Sequence, residues 1–331
     1  MENDRLFELR RRTFDTPHFK GIEFIEVEAK SIINHVPGNH LPFNWTINPY
    51  RGCSHACVFC FARSTHTYMD MNAGKDFETK IVVKVNAPDL LRKELRAKRW
   101  KGESIAMGTA TDPYQRAEGR YKLMPRIIET LAAYRNPFSI LTKGTLILRD
   151  LDLLQDAAAV TELSTAFSIG TLDEDAWRKS EPGTPHPRKR MEAVARLNEA
   201  GIPCGVLVAP ILPGISDGRE QIKEVVAAAM DAGATHVYPI LLHLRPKVKE
   251  VYMDWLADTY PELVERYQAM YARSAYAAKS DQKALSATVA EIKSEVPYRA
   301  RALRKTRPDD RWGSRARREI ASLKSEQLKL I

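Results

Sequence analysis

Cysteine is scarce in this chain, with four among 331 residues. That excludes the disulfide framework on which small secreted domains rely. Long apolar runs are missing as well. No stretch reaches the roughly 18 apolar residues that cross a bilayer. The opening MENDRLFELRRR is charged where a signal peptide would be apolar. The expectation is a cytoplasmic protein with no membrane partner. There is also no internal sequence repeat.

What is present is enough to build a core. With 44% hydrophobic residues, the chain can form one large α/β domain with appendages, or two small domains. The net charge is +9 and unevenly spread. Tyr298–Ile331 carries eleven Lys/Arg against four acids, a net +7, while the remainder is close to balanced. A basic segment on a near-neutral body suits a polyanion such as nucleic acid. It equally suits a solubilising tail.

Residues 1–44 read as an N-terminal extension, in which GIEFIEVEAKSII supplies one or two strands. From residue 45, apolar runs alternate with helical patterns. The strand-like runs are Trp45–Pro49, Ser104–Gly108, Pro137–Leu141, Leu163–Ile169, Cys204–Ala209 and His236–Leu242. The helical stretches include Tyr121–Tyr134 and Val248–Tyr271. Six βα units predict a parallel sheet with right-handed crossovers, either doubly wound or a partial (β/α)6 barrel over 45–271. Residues 272–331 form a helical and basic C-terminal extension outside it. Ligands of such sheets gather at the C-terminal strand ends.

Three of the four cysteines lie within eight residues, in NPYRGCSHACVFCFAR directly after the first strand. Cys53, Cys57 and Cys60 can hold three irons of a cubane, leaving the fourth iron open for a ligand. The same loop permits a Cys₃His zinc site completed by His55 or His66. Zinc sites of that kind usually sit in small independent fingers, whereas these cysteines sit in a large βα unit. Cys204 begins a strand and reads as a small core residue.

The C-x₃-C-x₂-C spacing, with Phe59 before the last cysteine and strand one before the first, resembles the radical SAM superfamily. The resemblance implies a [4Fe–4S] cluster whose open iron binds S-adenosylmethionine (SAM). It also implies a one-electron donor such as flavodoxin or ferredoxin, and a 5′-deoxyadenosyl radical that takes hydrogen from a substrate. On that basis the strand-end residues acquire roles. Thr109, Thr111 and Asp112 in GTATDPYQ suit the SAM amino group, Lys143 the carboxylate, Ser168 the ribose, and Ala209 backbone contact with adenine. Phe59 belongs to the same SAM set. Glu181 and Arg188 in SEPGTPHPRKR lie on a polar loop with a weaker claim. Tyr114, Gln115, His243 and Arg245 are candidates to face the substrate, and Tyr68 to stack on it.

The order of these motifs over about residues 45–245 more narrowly resembles the spore photoproduct lyase-related branch. That branch implies a nucleic-acid substrate, which the basic segment also suits. True lyases carry a hydrogen-donating cysteine in the loop after strand two. Gly108–Asp112 has none, so the resemblance does not extend to lesion reversal by that route. Two other functions fit the residues. One is a radical SAM enzyme acting on a protein or small metabolite; the other is a non-catalytic, zinc-dependent nucleic-acid-binding protein.

Overall fold

A computed structural model of the chain describes residues 10–38, 41 and 43–296. The basic segment 298–331 lies outside the described residues. The chain begins with β1 (Arg10–Thr13), β2 (Glu23–Val27), β3 (Ile33–His35), β4 (Trp45–Ile47) and the two-residue β5 (Tyr50–Arg51). Next come α1 (Lys75–Thr79), β6 (Lys80–Lys84) and α2 (Ala87–Leu95). Alternation follows through β7 (Ile105–Met107), α3 (Arg116–Tyr121), α4 (Leu123–Ala133), β8 (Phe138–Thr142), α5 (Leu151–Ala158) and β9 (Leu163–Ser168). It continues through α6 (Glu174–Ser180), α7 (Pro187–Glu199), β10 (Cys204–Ile211), α8 (Arg219–Asp231) and β11 (Val237–Leu241). The last helices are α9 (Val248–Thr259), α10 (Val264–Met270) and α11 (Lys279–Glu295).

The main sheet runs β11-β10-β9-β8-β7-β4-β3. Its six strands from β4 to β11 are mutually parallel, and β3 pairs antiparallel along the outer side of β4. These six are the strands the apolar runs predict, shifted by one or two residues. No ladder among the described residues joins β11 back to β3 or β4, so the barrel is partial. One face of the sheet is covered by helices. Phe138, Ile140, Phe167, Val206 and Val208 are buried in one cluster with Ile127, Ile128 and Leu131 of α4. Full burial of each such side chain contributes about 1.5–3 kcal/mol.

A second sheet, β1-β2-β6-β5, lies beside the first and includes the expected strand in GIEFIEVE. Its member β6 was not legible in the sequence. KIVVK buries Ile81, Val82 and Val83 in succession, so it shows no alternation that would mark a strand.

Two predicted helices are divided. Tyr121–Tyr134 breaks at Lys122, whose φ is +49°. The Glu118 carboxylate accepts from the backbone N–H groups of Leu123 and Met124, satisfying donors at the start of α4. Val248–Tyr271 breaks at Pro261, which offers no N–H and holds Tyr260 out of the helical region at φ −142° and ψ 64°. Within 272–296, α11 packs on α8 and β11 with Val289 and Ile292 buried. Because the six strands are parallel, their C-terminal ends meet along one edge, and the loops there form a single site.

Candidate active site

The cysteine loop follows β5 and is fixed by backbone pairing to distant segments. The Cys53 N–H donates to the Phe77 carbonyl at 2.9 Å, and the Val58 N–H to the Ser180 carbonyl at 3.0 Å. The nine-residue 3-10 helix Phe61–Met69 follows, and it turns Arg63 inward to complete burial. The Arg63 guanidinium donates to the carbonyls of Cys57, Ala56, Ala73 and Gly74, and it pairs with Glu78. Five fixed donors in one plane suit this collection of loop carbonyls. They hold the loop without occupying any sulfur.

Cys53, Cys57 and Cys60 line one cavity of about 210 Å³ at the strand ends. Burial pushes the Cys60 thiol up to about 11 and raises Cys57 well above its ordinary range. Iron can bind only as these protons leave. His55 is also buried. Burial alone would lower its pKa, but the Cys53 sulfur and the Asp112 carboxylate outweigh it and raise it to about 10. The site thus sets a cationic ring beside Cys53.

The opposite wall comes from the ends of β8, β9 and β10. Lys143 Nζ donates to Glu181 Oε1 at 2.6 Å and to Ser168 Oγ at 2.8 Å. Its remaining contacts, the carbonyls of Ser168 and Ala209, lie at 3.4 and 3.5 Å. Those distances are too long for strong bonds, so one of its three donors is available to a ligand. The other oxygen of Glu181 accepts from Arg190 at 2.6 Å. Burial would raise the Glu181 pKa, but Arg190 and Lys143 together lower it to about 2. Ser168 donates to the Ala209 carbonyl at 2.7 Å. Lys143 also sits 5.6 Å from the centroid of the Phe59 ring, which ties the strand ends to the cysteine loop.

Phe59, Thr111, Asp112, Lys143, Ser168 and Ala209 all line the cavity. Two of them are already committed to the protein. Asp112 accepts from Thr142 Oγ1 and the Lys143 N–H, both at 2.6 Å, and from the Tyr114 N–H, and it faces His55 Nδ1 at 3.4 Å. Thr111 Oγ1 donates to the Gly52 carbonyl at 2.8 Å.

The four residues expected to face substrate separate. Tyr114 and Gln115 are buried and do not line the cavity. Tyr114 reaches Asp150 at 3.1 Å. Gln115 Nε2 donates to the Gly52 carbonyl, and its Oε1 accepts from the Ser54 N–H, so it braces the cysteine loop. The sequence supplies the type of these side chains but not the direction in which the turn after β7 aims them. His243 lines the cavity, and Arg245 lies outside it over the Phe61 ring. Arg188 is exposed on Glu224, and Tyr68 is exposed. Arg190, which the sequence reading passed over, is the buried partner of Glu181. The short run RKR carries no mark of which arginine turns inward.

Close backbone approach shapes the same wall. Gly108 has φ +87°, and a Cβ there would sit 1.8 Å from the Leu141 carbonyl oxygen. Gly108→Ala should therefore cost more than the about 1–2 kcal/mol of left-handed strain alone. The urea midpoint should fall accordingly. An unchanged midpoint would show that β7 and β8 can separate at no cost.

The zinc alternative does not match the side chains. His55 faces Asp112, and His66 Nε2 is bonded to the Lys80 carbonyl at 2.9 Å. Among the described residues no three Cys, His, Asp or Glu side chains converge on a point that one ion would occupy. A cubane takes one thiolate per iron, so three thiols lining one cavity fit it.

Comparison with known proteins agrees with this geometry. Residues 47–243 match the family model of the Radical SAM superfamily. The chain belongs to that superfamily and is an enzyme of the radical SAM class. An uncharacterized protein of Mycobacterium tuberculosis is 48% identical over 282 residues, covering 85% of this chain and 83% of the relative. An uncharacterized protein of Methanocaldococcus jannaschii is 31% identical over 246 residues, covering 74% and 86%. The fold is similar to that of spore photoproduct lyase complexed with dinucleoside spore photoproduct, with a TM-score of 0.63 at 16% identity over 84% of this chain and 80% of the other. A mutant of that lyase with bound AdoMet and dinucleoside spore photoproduct gives a TM-score of 0.57 at 16% identity, covering 80% and 77%. No helix among the described residues is long and apolar enough to cross a membrane.

Proposed function

We propose that Cys53, Cys57 and Cys60 hold a [4Fe–4S] cluster, that SAM binds in the cavity beside them, and that the substrate is a nucleic acid. The observation that carries this reading is the meeting of three thiols and Lys143 on one cavity, with Lys143 held by Glu181, which Arg190 holds in turn. Cluster and SAM, when bound, supply one-electron reductive cleavage of the sulfonium to a 5′-deoxyadenosyl radical, with the electron drawn from a donor such as flavodoxin or ferredoxin.

The chain's own residues bind and orient. Lys143, held by Glu181 and Ser168, offers its weakly used donor to the methionine carboxylate. The Ser168 hydroxyl would take the ribose and the Ala209 backbone the adenine, both lining the same cavity. Phe59 and Leu242 present apolar surface that limits water around a reactive species. The nucleic-acid substrate rests on the fold shared with a lyase that binds a dinucleoside photoproduct and on the basic charge of residues 298–331.

Anaerobically reconstituted protein, given dithionite and SAM, should release 5′-deoxyadenosine, and failure to do so would reject the reading. Lys143→Ala removes a charge-assisted contact worth about 1.5–3 kcal/mol, so SAM affinity should fall about tenfold or more. Iron content should stay at the wild-type level. Parallel loss of iron would make Lys143 a structural residue instead.

A further inference from the structure

The rim of the cavity carries a chain of rings that the SAM site does not use. His243 stacks on Tyr276 with centroids 5.4 Å apart and planes 24° from parallel. Phe61 lies 5.8 Å from His243, and the Arg245 guanidinium lies 5.6 Å from the Phe61 centroid. An isolated β-bridge pairs His243 with Tyr276, and the Leu244 N–H donates to the Ala275 carbonyl at 2.7 Å. The rings are therefore positioned by backbone pairing. Phe61 and His243 line the cavity itself, while Tyr276 is 50% exposed.

A half-exposed tyrosine stacked on a cavity-lining histidine contributes little to a core. Burial and the nearby Arg245 keep the His243 pKa below its ordinary value, so a neutral ring backs the tyrosine. A second cavity, lined in part by Lys247, Lys249 and Arg273, adjoins the same pairing. Arg245 and Arg273 are exposed and form no ion pair among the described residues. Planar rings beside unpaired cations suit a ligand that alternates planar faces with anionic groups, which is the chemistry of an unpaired nucleic-acid strand.

We infer that Tyr276, backed by His243 and Phe61, is a stacking platform for an unpaired nucleobase at the cavity mouth, with Arg245 and Arg273 on the flanking phosphates. The site would hold the strand so that a neighbouring nucleotide enters the cavity. The inference rests on the reading that the cavity is the reaction site.

The test uses the full chain and a single-stranded oligothymidine carrying one 2-aminopurine. Binding should quench the 2-aminopurine fluorescence, as stacking on a ring does. Base–aromatic stacking contributes about 1–3 kcal/mol, so Tyr276→Ala should weaken binding by about fivefold to a hundredfold, while Tyr276→Phe should stay within about twofold of wild type. Arg245→Ala and Arg273→Ala should each lower the slope of log affinity against log salt by about 0.7. Absent quenching, an unaffected Tyr276→Ala, or equal loss in Tyr276→Ala and Tyr276→Phe would overturn the platform. Unchanged salt slopes would overturn the phosphate contacts. Wild-type 5′-deoxyadenosine release without oligonucleotide tests the SAM reading separately, so either can fail while the other stands.

Discussion

Cys57→Ala, like Cys53→Ala and Cys60→Ala, should leave a protein that cannot hold its cluster and releases no 5′-deoxyadenosine above the uncatalysed background. The effect should exceed the about 10–100-fold that loss of an outer partner costs a metal site. Removing a sulfur removes a ligand itself, and no other cysteine stands near to replace it. Cys204 is the control. It is fully buried at the start of β10, at the end of the sheet opposite the cavity. Cys204→Ala should retain iron and SAM cleavage. Iron content and iron–sulfur absorbance after anaerobic reconstitution report the first step, and 5′-deoxyadenosine the second. Any of the three loop variants that still cleaves SAM would sink the assignment. Since loading must displace protons from raised thiols, it should also weaken as pH falls.

Glu181→Ala should be the most destabilising single change in the wall of the site. It would leave Arg190, with no side-chain exposure, and Lys143, with 13%, as cations without their shared carboxylate. Breaking a buried pair in this way costs about 3–5 kcal/mol. Glu181→Gln keeps both hydrogen-bond acceptance and shape at one oxygen, so its loss should be smaller. The pH dependence has a definite sign. The folded pKa of Glu181 lies near 2, below its ordinary 4.5. Its stabilisation is complete above about 4.5 and is lost as pH falls from there toward 2. Urea midpoints at neutral pH, and again between those limits, should show Glu181→Gln losing less stability on acidification than wild type. A Glu181→Ala midpoint equal to wild type would mean that water already screens the group.

The six βα units were legible because short apolar-rich runs alternate with helical patterns along the chain. Pro137–Leu141 and Leu163–Ile169 match β8 and β9 to within a residue or two for that reason. The strand β6 was hidden because KIVVK shows no alternation and lies outside the βα series, in a separate sheet. The cysteine loop was legible because its ligands are local, three thiols within eight residues. Asp112 and Gln115 were legible as residue types at a strand end, but not as the braces they are. Gln115 folds back onto Gly52, 63 positions earlier, and Glu181 reaches Lys143 across 38.

By itself, then, the sequence determined the alternation of strands and helices, the cluster-type spacing of Cys53, Cys57 and Cys60, and the placing of polar residues after each strand. These are properties of neighbours along the chain, where periodicity and spacing act directly. Only the tertiary structure decided that Arg190 and not Arg188 turns inward, that Tyr114 and Gln115 face the protein, and that Tyr276 joins His243 and Phe61 at the rim. Those choices depend on which segments the sheet brings within 3 to 6 Å of each other. Burial then fixes which polar groups must find partners, and no local pattern in the chain encodes that outcome.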